Sequence, residues 1–226
     1  MQHEILYRPS YSLVKVTLAP NERINAEASA MVSMSSGTQI ETGARGGIMK
    51  SLLRSVLGGE SFFTNSFWNP SGGEVTFAPT LPGDISQVSM SNETLLVQSG
   101  SFLCCADGVA MDVGWGGAKG FFSSEGLILL KATGTGDLFL SSYGAIHDMT
   151  LAPGERYIVD TGHLVAFTAN IGYQVQRVGG IKSTLFSGEG LVVELTGPGR
   201  VYMQTRSVDS FLNWLLPKLP KPDSRG

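Results

Sequence analysis

The chain has 226 residues, of which 42% are hydrophobic and only 15% charged, and its formal net charge is −3. That length buries a sizeable core without disulfides or metals to staple it, and it allows one or two domains. A net negative chain offers no basic surface for sequence-independent binding to nucleic acid and no electrostatic reason to sit on an anionic membrane, so no nucleic-acid partner is expected. The 29 glycines, nearly twice ordinary usage, with abundant Val, Leu, Phe, Ser and Thr, point to many short strands joined by tight turns. No apolar run approaches the roughly 20 residues of a spanning helix.

The first residues, 1–9, have neither the basic and apolar regions of a secretory signal nor the Arg- and Ser-rich character of a transit peptide. The expectation is a cytoplasmic protein if the source is bacterial, and a mitochondrial one without a visible transit peptide if it is eukaryotic. His3 falls in this stretch and is expected to be disordered.

Val14, Val16 and Leu18 alternate with Lys15 and Thr17, the period of a half-buried strand. Ala19-Pro20-Asn21-Glu22 then turns the chain, with Pro presetting φ and Asn tolerating a positive φ at the next position. Residues 26–34 read as the returning strand. Residues 48–57 read as a short inserted helix, with Met49, Leu52, Leu53 and Val56 on one face and Gly58-Gly59 as its stop. The Gly-rich loop before it, residues 43–47, lacks the Lys-Ser/Thr ending of a phosphate-binding loop. An aromatic stretch, residues 62–68, ends in the turn Asn69-Pro70-Ser71-Gly72-Gly73 and the strand 74–78.

The opening pattern then returns. Thr17-Leu18-Ala19-Pro20-Asn21-Glu22-Arg23 reappears as Thr150-Leu151-Ala152-Pro153-Gly154-Glu155-Arg156, differing only by Asn for Gly, the two residues most at ease with positive φ. A fainter copy, Met90-Ser91-Asn92-Glu93, lies between and reads as a third turn. Further blocks recur in the same order. Glu27, Gln98 and Asp160 each open a small polar tripeptide; Glu60, Glu125 and Glu189 recur; and Gly73-Glu74, Gly136-Asp137 and Gly199-Arg200 each open a strand. The period is roughly 62 to 71 residues, longer than that of short solenoid repeats. In the second unit Gly134-Thr135-Gly136-Asp137 reads as a turn into a strand. The expected organisation is one β domain over residues 1–216, made of repeats at about 11–83, 84–146 and 147–206 that close on one another, followed by a short helix and a flexible tail, 217–226. Ser207 or Asp209 caps that helix, which carries Phe211, Leu212, Trp214, Leu215 and Leu216.

Residues able to carry chemistry are sparse. Cys104 and Cys105 are neighbours in a predicted strand, point to opposite faces and read as small apolar fillers. His3, His147 and His163 have no ligand spacing, so no metal or other cofactor is expected. Asp160 and His163, both in the repeated strand, form a tempting acid–base pair, but their counterparts Glu27 with Ala30 and Gln98 with Ser101 favour a packing role. Glu60, Glu125 and Glu189 read as turn acceptors, with a shared cation as the sharper alternative. Trp68 and Trp115, beside Gly-rich loops, are the residues a sugar- or nucleotide-binding module would use.

Four runs carry a resemblance. They are Asp160-Thr161-Gly162-His163-Leu164-Val165-Ala166-Phe167, Phe186-Ser187-Gly188-Glu189-Gly190-Leu191, residues 196–206 and residues 54–63. Together they resemble the altered-inheritance-of-mitochondria protein 24 family over about residues 5–216. The resemblance implies an all-β fold of double-stranded β-helix type, related to the tryptophan RNA-binding attenuation protein and often oligomeric. It also implies a link to mitochondrial inner-membrane organisation in eukaryotic relatives. It brings no catalytic residues.

The expected protein is thus all-β, with three pseudo-symmetric repeats, one short inserted helix and a short C-terminal helix. It is expected to act without catalysis, as a homo-oligomeric scaffold, a trimer before other states. Phe211, Trp214, Leu215, Leu52 and Leu53 are the candidate contact residues. A membrane interface is the alternative for the apolar tail, and a sugar- or nucleotide-binding module is the alternative for the whole.

Overall fold

The computed structural model describes residues 1–42, 56–57, 60–61, 64–113, 127–177 and 191–220. The first third of the chain holds β1 (Gln2–Leu6), β2 (Leu13–Leu18), β3 (Arg23–Glu27), β4 (Met31–Met34), β5 (Gln39–Thr42), β6 (Val56–Leu57), β7 (Glu60–Ser61), β8 (Thr64–Trp68) and β9 (Gly73–Phe77). The second holds β10 (Ile85–Gln98), β11 (Phe102–Ala106), β12 (Val109–Val113) and β13 (Leu129–Ser141). The third holds β14 (Ile146–Leu151), β15 (Arg156–Asp160), β16 (Leu164–Thr168), β17 (Gly172–Arg177), β18 (Leu191–Thr196) and β19 (Gly199–Gln204), and is followed by helix α1 (Val208–Leu215).

One pairing scheme runs through all three thirds, always antiparallel. In the first, β2 and β4 flank β9 while β3 and β5 flank β8. In the last, β14 and β16 flank β19 while β15 and β17 flank β18. In the middle third, β10 and β13 are long enough to serve both layers, and β11 and β12 each add to β13. The registers follow the sequence repeat at its recurring glycines. Leu18 faces Gly73, Met90 faces Gly136, and Leu151 faces Gly199. A bulge interrupts β4 between Met31 and Ser33, β11 between Phe102 and Cys104, and β16 between Leu164 and Ala166. The alternation anticipated in β2 buries Val14, Val16 and Leu18 against Phe67, Val75 and Phe77, and each third contributes such an apolar cluster.

The duplicated turn forms as its residues dictate. Pro20-Asn21 and Pro153-Gly154 occupy the two central positions, Asn21 at φ 63° and Gly154 at φ 77°, and the amides of Glu22 and Glu155 close the turn onto the Ala19 and Ala152 carbonyls at 3.0 Å. The Glu side chain then reaches back to the amide of the same Ala, at 2.8 Å for Glu22 and 2.7 Å for Glu155. These four residues satisfy each other's polar groups, which is why both copies keep the Glu.

Several expectations are corrected. The Asn92 copy does not turn the chain. Asn92 has φ 56°, but it is the extra residue of a bulge between Ser91 and Glu93 inside the continuous β10, whose copy of the motif lacks the proline. Nor does the chain turn at Gly134-Thr135-Gly136, which lie within β13. A Cβ on Gly134 would stand 2.2 Å from the Gly108 carbonyl oxygen, so this glycine permits a close approach of two backbones. The stretch read as one strand over 26–34 is two, β3 and β4, separated by a turn in which the Ala30 amide bonds to the Glu27 carbonyl at 3.2 Å. The matching tripeptides Ser99–Ser101 and Thr161–His163 are 3-10 turns, so His163 lies at a corner and not within a strand. Val56-Leu57 pairs with Glu60-Ser61 as a strand, so these two residues are not part of the helix expected over 48–57; the other residues of that expectation, including Leu52 and Leu53, lie outside the described residues. His3 is ordered in β1, opposite Val16, with its ring 5.0 Å from that of Phe139 and 3.8 Å from the Asp137 carboxylate.

The thirds are joined by strand pairing. β3 of the first third bonds to β11 of the second, Ala26 facing Cys104, and β10 of the second bonds to β16 of the third, Val97 facing Ala166. The expected closure of third onto first is not found among the described residues. There, β15 pairs only with β18 and β4 only with β9.

Candidate functional site

The points where one third gives way to the next meet at one end of the molecule. The Ser12 amide bonds to the Gly83 carbonyl at 3.0 Å, the Asp84 amide to that of Gly144 at 2.9 Å, and the Thr205 amide to that of Ala145 at 3.1 Å. Asp84 is nearly fully buried at this junction. Its carboxylate accepts two hydrogen bonds from the Arg8 guanidinium at 2.8 Å, one from the Ser12 hydroxyl at 3.0 Å and one from the Ile85 amide at 2.8 Å. Burial pushes the carboxyl upward, but the bonds from Arg8, Ile85 and Ser12 together outweigh it and hold the group below its ordinary value of 3.8. This is a satisfied structural carboxylate that ties the N-terminal segment to the start of the second third.

Helix α1 leaves from the same end. Ser207 is buried and caps it, its hydroxyl accepting from the Ser210 amide at 3.4 Å. Ser207 rests on Gly162, where a Cβ would come within 2.7 Å of its hydroxyl oxygen. Phe211 meets Tyr143 edge to face at 6.1 Å and stacks on Trp214 at 6.2 Å. Phe211 and Leu215, one turn apart, are half-buried on the side turned to the β body. The rest of the apolar surface faces water: Trp214 and Leu216 are each 58% exposed, and Val208, Leu212 and Leu219 are exposed as well. Lys218 ends the segment, its ammonium 4.7 Å above the Trp214 ring and 3.0 Å from the Trp214 carbonyl. Of the five candidate contact residues, the structure therefore gathers Phe211, Trp214 and Leu215 on one helix, with Phe211 and Leu215 as its anchors and Trp214 as its free face.

The residues weighed for chemistry have structural partners. Asp160 and His163 do not pair. The Asp160 carboxylate accepts from the Gly162 amide at 2.8 Å, and His163 Nδ1 lies 2.7 Å from the Gln204 carbonyl oxygen, which can only accept, so this nitrogen carries the proton. Gln204 binds the corner from its side chain too, donating to the Gly162 carbonyl and accepting from the Tyr143 amide, both at 2.8 Å. That role for Gln204 was not anticipated, and nothing in its sequence neighbourhood announces it. His147 is exposed on β14. Cys104 and Cys105 are buried, and burial pushes both thiols up, that of Cys105 to about 12 with the nearby Asp107 charge adding to the effect. The Arg23 guanidinium covers one face of the Trp68 ring at 3.9 Å, leaving that face unavailable for a sugar or base. Trp115, Glu125 and Glu189 lie outside the described residues, as does the Glu60 side chain. Among the described residues no three His, Cys, Asp or Glu side chains are grouped to hold a metal ion, and no helix is long and apolar enough to cross a membrane.

Comparison with known proteins places this geometry in a family. The chain is 26% identical over 223 residues to an uncharacterized protein of Streptococcus pyogenes serotype M6, covering 93% of this chain and 88% of that one. A crystal structure of a Streptococcus pyogenes protein superposes with a TM-score of 0.81 at 23% identity, covering 96% of this chain and 99% of that one, a likeness of fold. The family model described as "Mitochondrial biogenesis AIM24" matches residues 3–206, the whole β body, and the chain belongs to that family.

Proposed function

We propose that this protein is a non-enzymatic, homo-oligomeric scaffold, a protein whose work is to hold copies of itself together and present a surface to others. The observation that carries this reading is the apolar helix at the repeat junction, capped and anchored by Ser207 and Phe211 yet exposing Trp214, Leu212, Leu216 and Leu219. Exposed apolar side chains grouped on one short element are a feature of interaction sites, because leaving them in water forfeits about 1.5–3 kcal/mol for each fully buried equivalent. The separate commitments of Asp160 and His163 support the non-catalytic half of the reading. The link of eukaryotic relatives to membrane organisation supports a setting near a membrane for such a scaffold, with the apolar helix as the element that would meet the bilayer.

Light scattering on the full chain at micromolar concentration tests this. The expected mass is that of several chains, and Trp214→Glu with Leu216→Glu is expected to lower the mass or to abolish binding to vesicles while leaving the folded β signal intact. A single-chain mass in the unaltered protein, with no vesicle binding, would overturn the proposal.

A further inference from the structure

The strand pairing that links the thirds leaves two edges over, and they are complementary. At each internal joint the second strand of one third meets the third strand of the next: β3 with β11, and β10 with β16. The strands left without such a partner among the described residues are β15, the second strand of the last third, and β4, the third strand of the first. The two internal joints supply a register. Ala26 and Val97 face Cys104 and Ala166, the position that Ser33 holds in β4, and Val159 holds the Ala26 position in β15. The missing joint would therefore set Val159 against Ser33, Ile158 against Met34 and Tyr157 against Ser35.

The side chains at these edges are those of a joint. Val32 is 55% exposed and Met34 40%, whereas their counterparts Leu103 and Val165, and Cys105 and Phe167, are buried. Tyr157 is 39% exposed and Ile158 59%, whereas Ile24 and Leu95 stand buried at the Tyr157 position and Leu96 at that of Ile158. β4 reads Met-Val-Ser-Met, without a charge or a proline, while edges elsewhere carry them, as β14 does with His147 and Asp148. An uncharged apolar edge is the kind that templates another strand. The exposure of Val32 and Ile158 within one chain also means the two edges do not cover each other in the same molecule.

We infer that β15 of one copy pairs antiparallel with β4 of a second copy, repeating between chains the joint that the chain makes twice within itself. The partner is another molecule of this protein, because its own sequence supplies both halves of the joint in a register already realised at β3–β11 and β10–β16. The contact is heterologous, head to tail, so it builds a ring or a filament and not a two-fold dimer. This inference rests on the oligomeric reading above and adds a strand-to-strand contact between copies to the one offered by helix α1.

Two single-cysteine variants test it, Met34→Cys and Ile158→Cys, at exposed positions expected to face each other. Directly opposed residues on antiparallel strands lie within reach of a disulfide or a short bis-maleimide, and the native thiols are buried and stay silent. The expected result is a covalent dimer when the two variants are mixed and none from either alone, with the double variant giving a ladder of multimers. No cross-link in the mixture, a cross-link of one variant to itself, or only an intrachain link in the double variant would each overturn the joint. If light scattering still reports several chains in those cases, the oligomeric reading stands and only this interface fails; a single-chain mass removes both. Ile158→Asp offers an independent arm, since it is expected to reduce the mass while leaving the folded β signal intact, and an unchanged mass would count against the joint.

Discussion

Asp84 shows how much one residue holds at the repeat junction. Its buried carboxylate accepts from Arg8, Ser12 and the Ile85 amide, and these bonds outweigh the upward push of burial, so its folded-state pKa lies below the ordinary value. A depressed carboxyl contributes stability that is present above the unfolded-state pKa and is lost as pH falls through the folded one. Arg8→Met is expected to raise the carboxyl toward its unfolded-state value, lowering stability at neutral pH and shrinking the part of it that is lost on the acid side. Asp84→Asn is expected to cost about 2 kcal/mol at neutral pH, by weakening charge-assisted bonds, and to flatten the acid limb. Melting temperatures between about pH 5 and pH 2 check both; an Arg8→Met curve identical in shape to that of the parent would contradict this role. None of this was legible in the sequence. Leu81-Pro82-Gly83-Asp84 announces a connection between repeats, but the pairing of Asp84 with a residue 76 positions earlier depends on the chain's return to the same end of the molecule.

At the scale of the element, the duplicated turn is the part the sequence states most plainly. Pro followed by Asn or Gly, then Glu, encodes both the backbone path and its internal hydrogen bonds, so pattern and structure coincide at Asn21 and Gly154. The middle copy misleads because Asn92 has the same preference without the proline, and a positive φ serves a bulge as well as a turn. Gly154 offers a clean measurement, since a Cβ there meets nothing within 4 Å and any penalty is conformational. Gly154→Ala is expected to destabilise by about 1 kcal/mol and Gly154→Asn by less, because Asn tolerates this region better than Ala. Chemical denaturation decides it, and equal effects of the two substitutions would contradict a φ-based cost. Helix α1 was equally legible, through its Ser cap and apolar spacing. What the sequence does not convey is which face would stay in water, because Phe211 is anchored by Tyr143, a residue distant in sequence.

For the whole molecule, three-fold repetition was readable because the blocks recur in order, and the registers of Leu18, Met90 and Leu151 against Gly73, Gly136 and Gly199 follow it. The unjoined ends were not readable. The sequence of β4 differs little in character from that of β11 or β16, and only the exposure of Val32 and Met34 distinguishes a strand with a neighbour from one without. Among the described residues the repetition is satisfied at two joints and open at the third, and the proposed pairing of β15 with β4 would use these two ends as head and tail. Amide hydrogen exchange, followed as the protein is diluted at those amides of Met31–Met34 and Arg156–Asp160 that do not bond to β9 or β18, tests this most directly. Protection at both edges in concentrated solution, lost together on dilution while β3 and β11 stay protected, is the predicted result. Edges that exchange freely at every concentration, or that stay protected in a single chain, would contradict it.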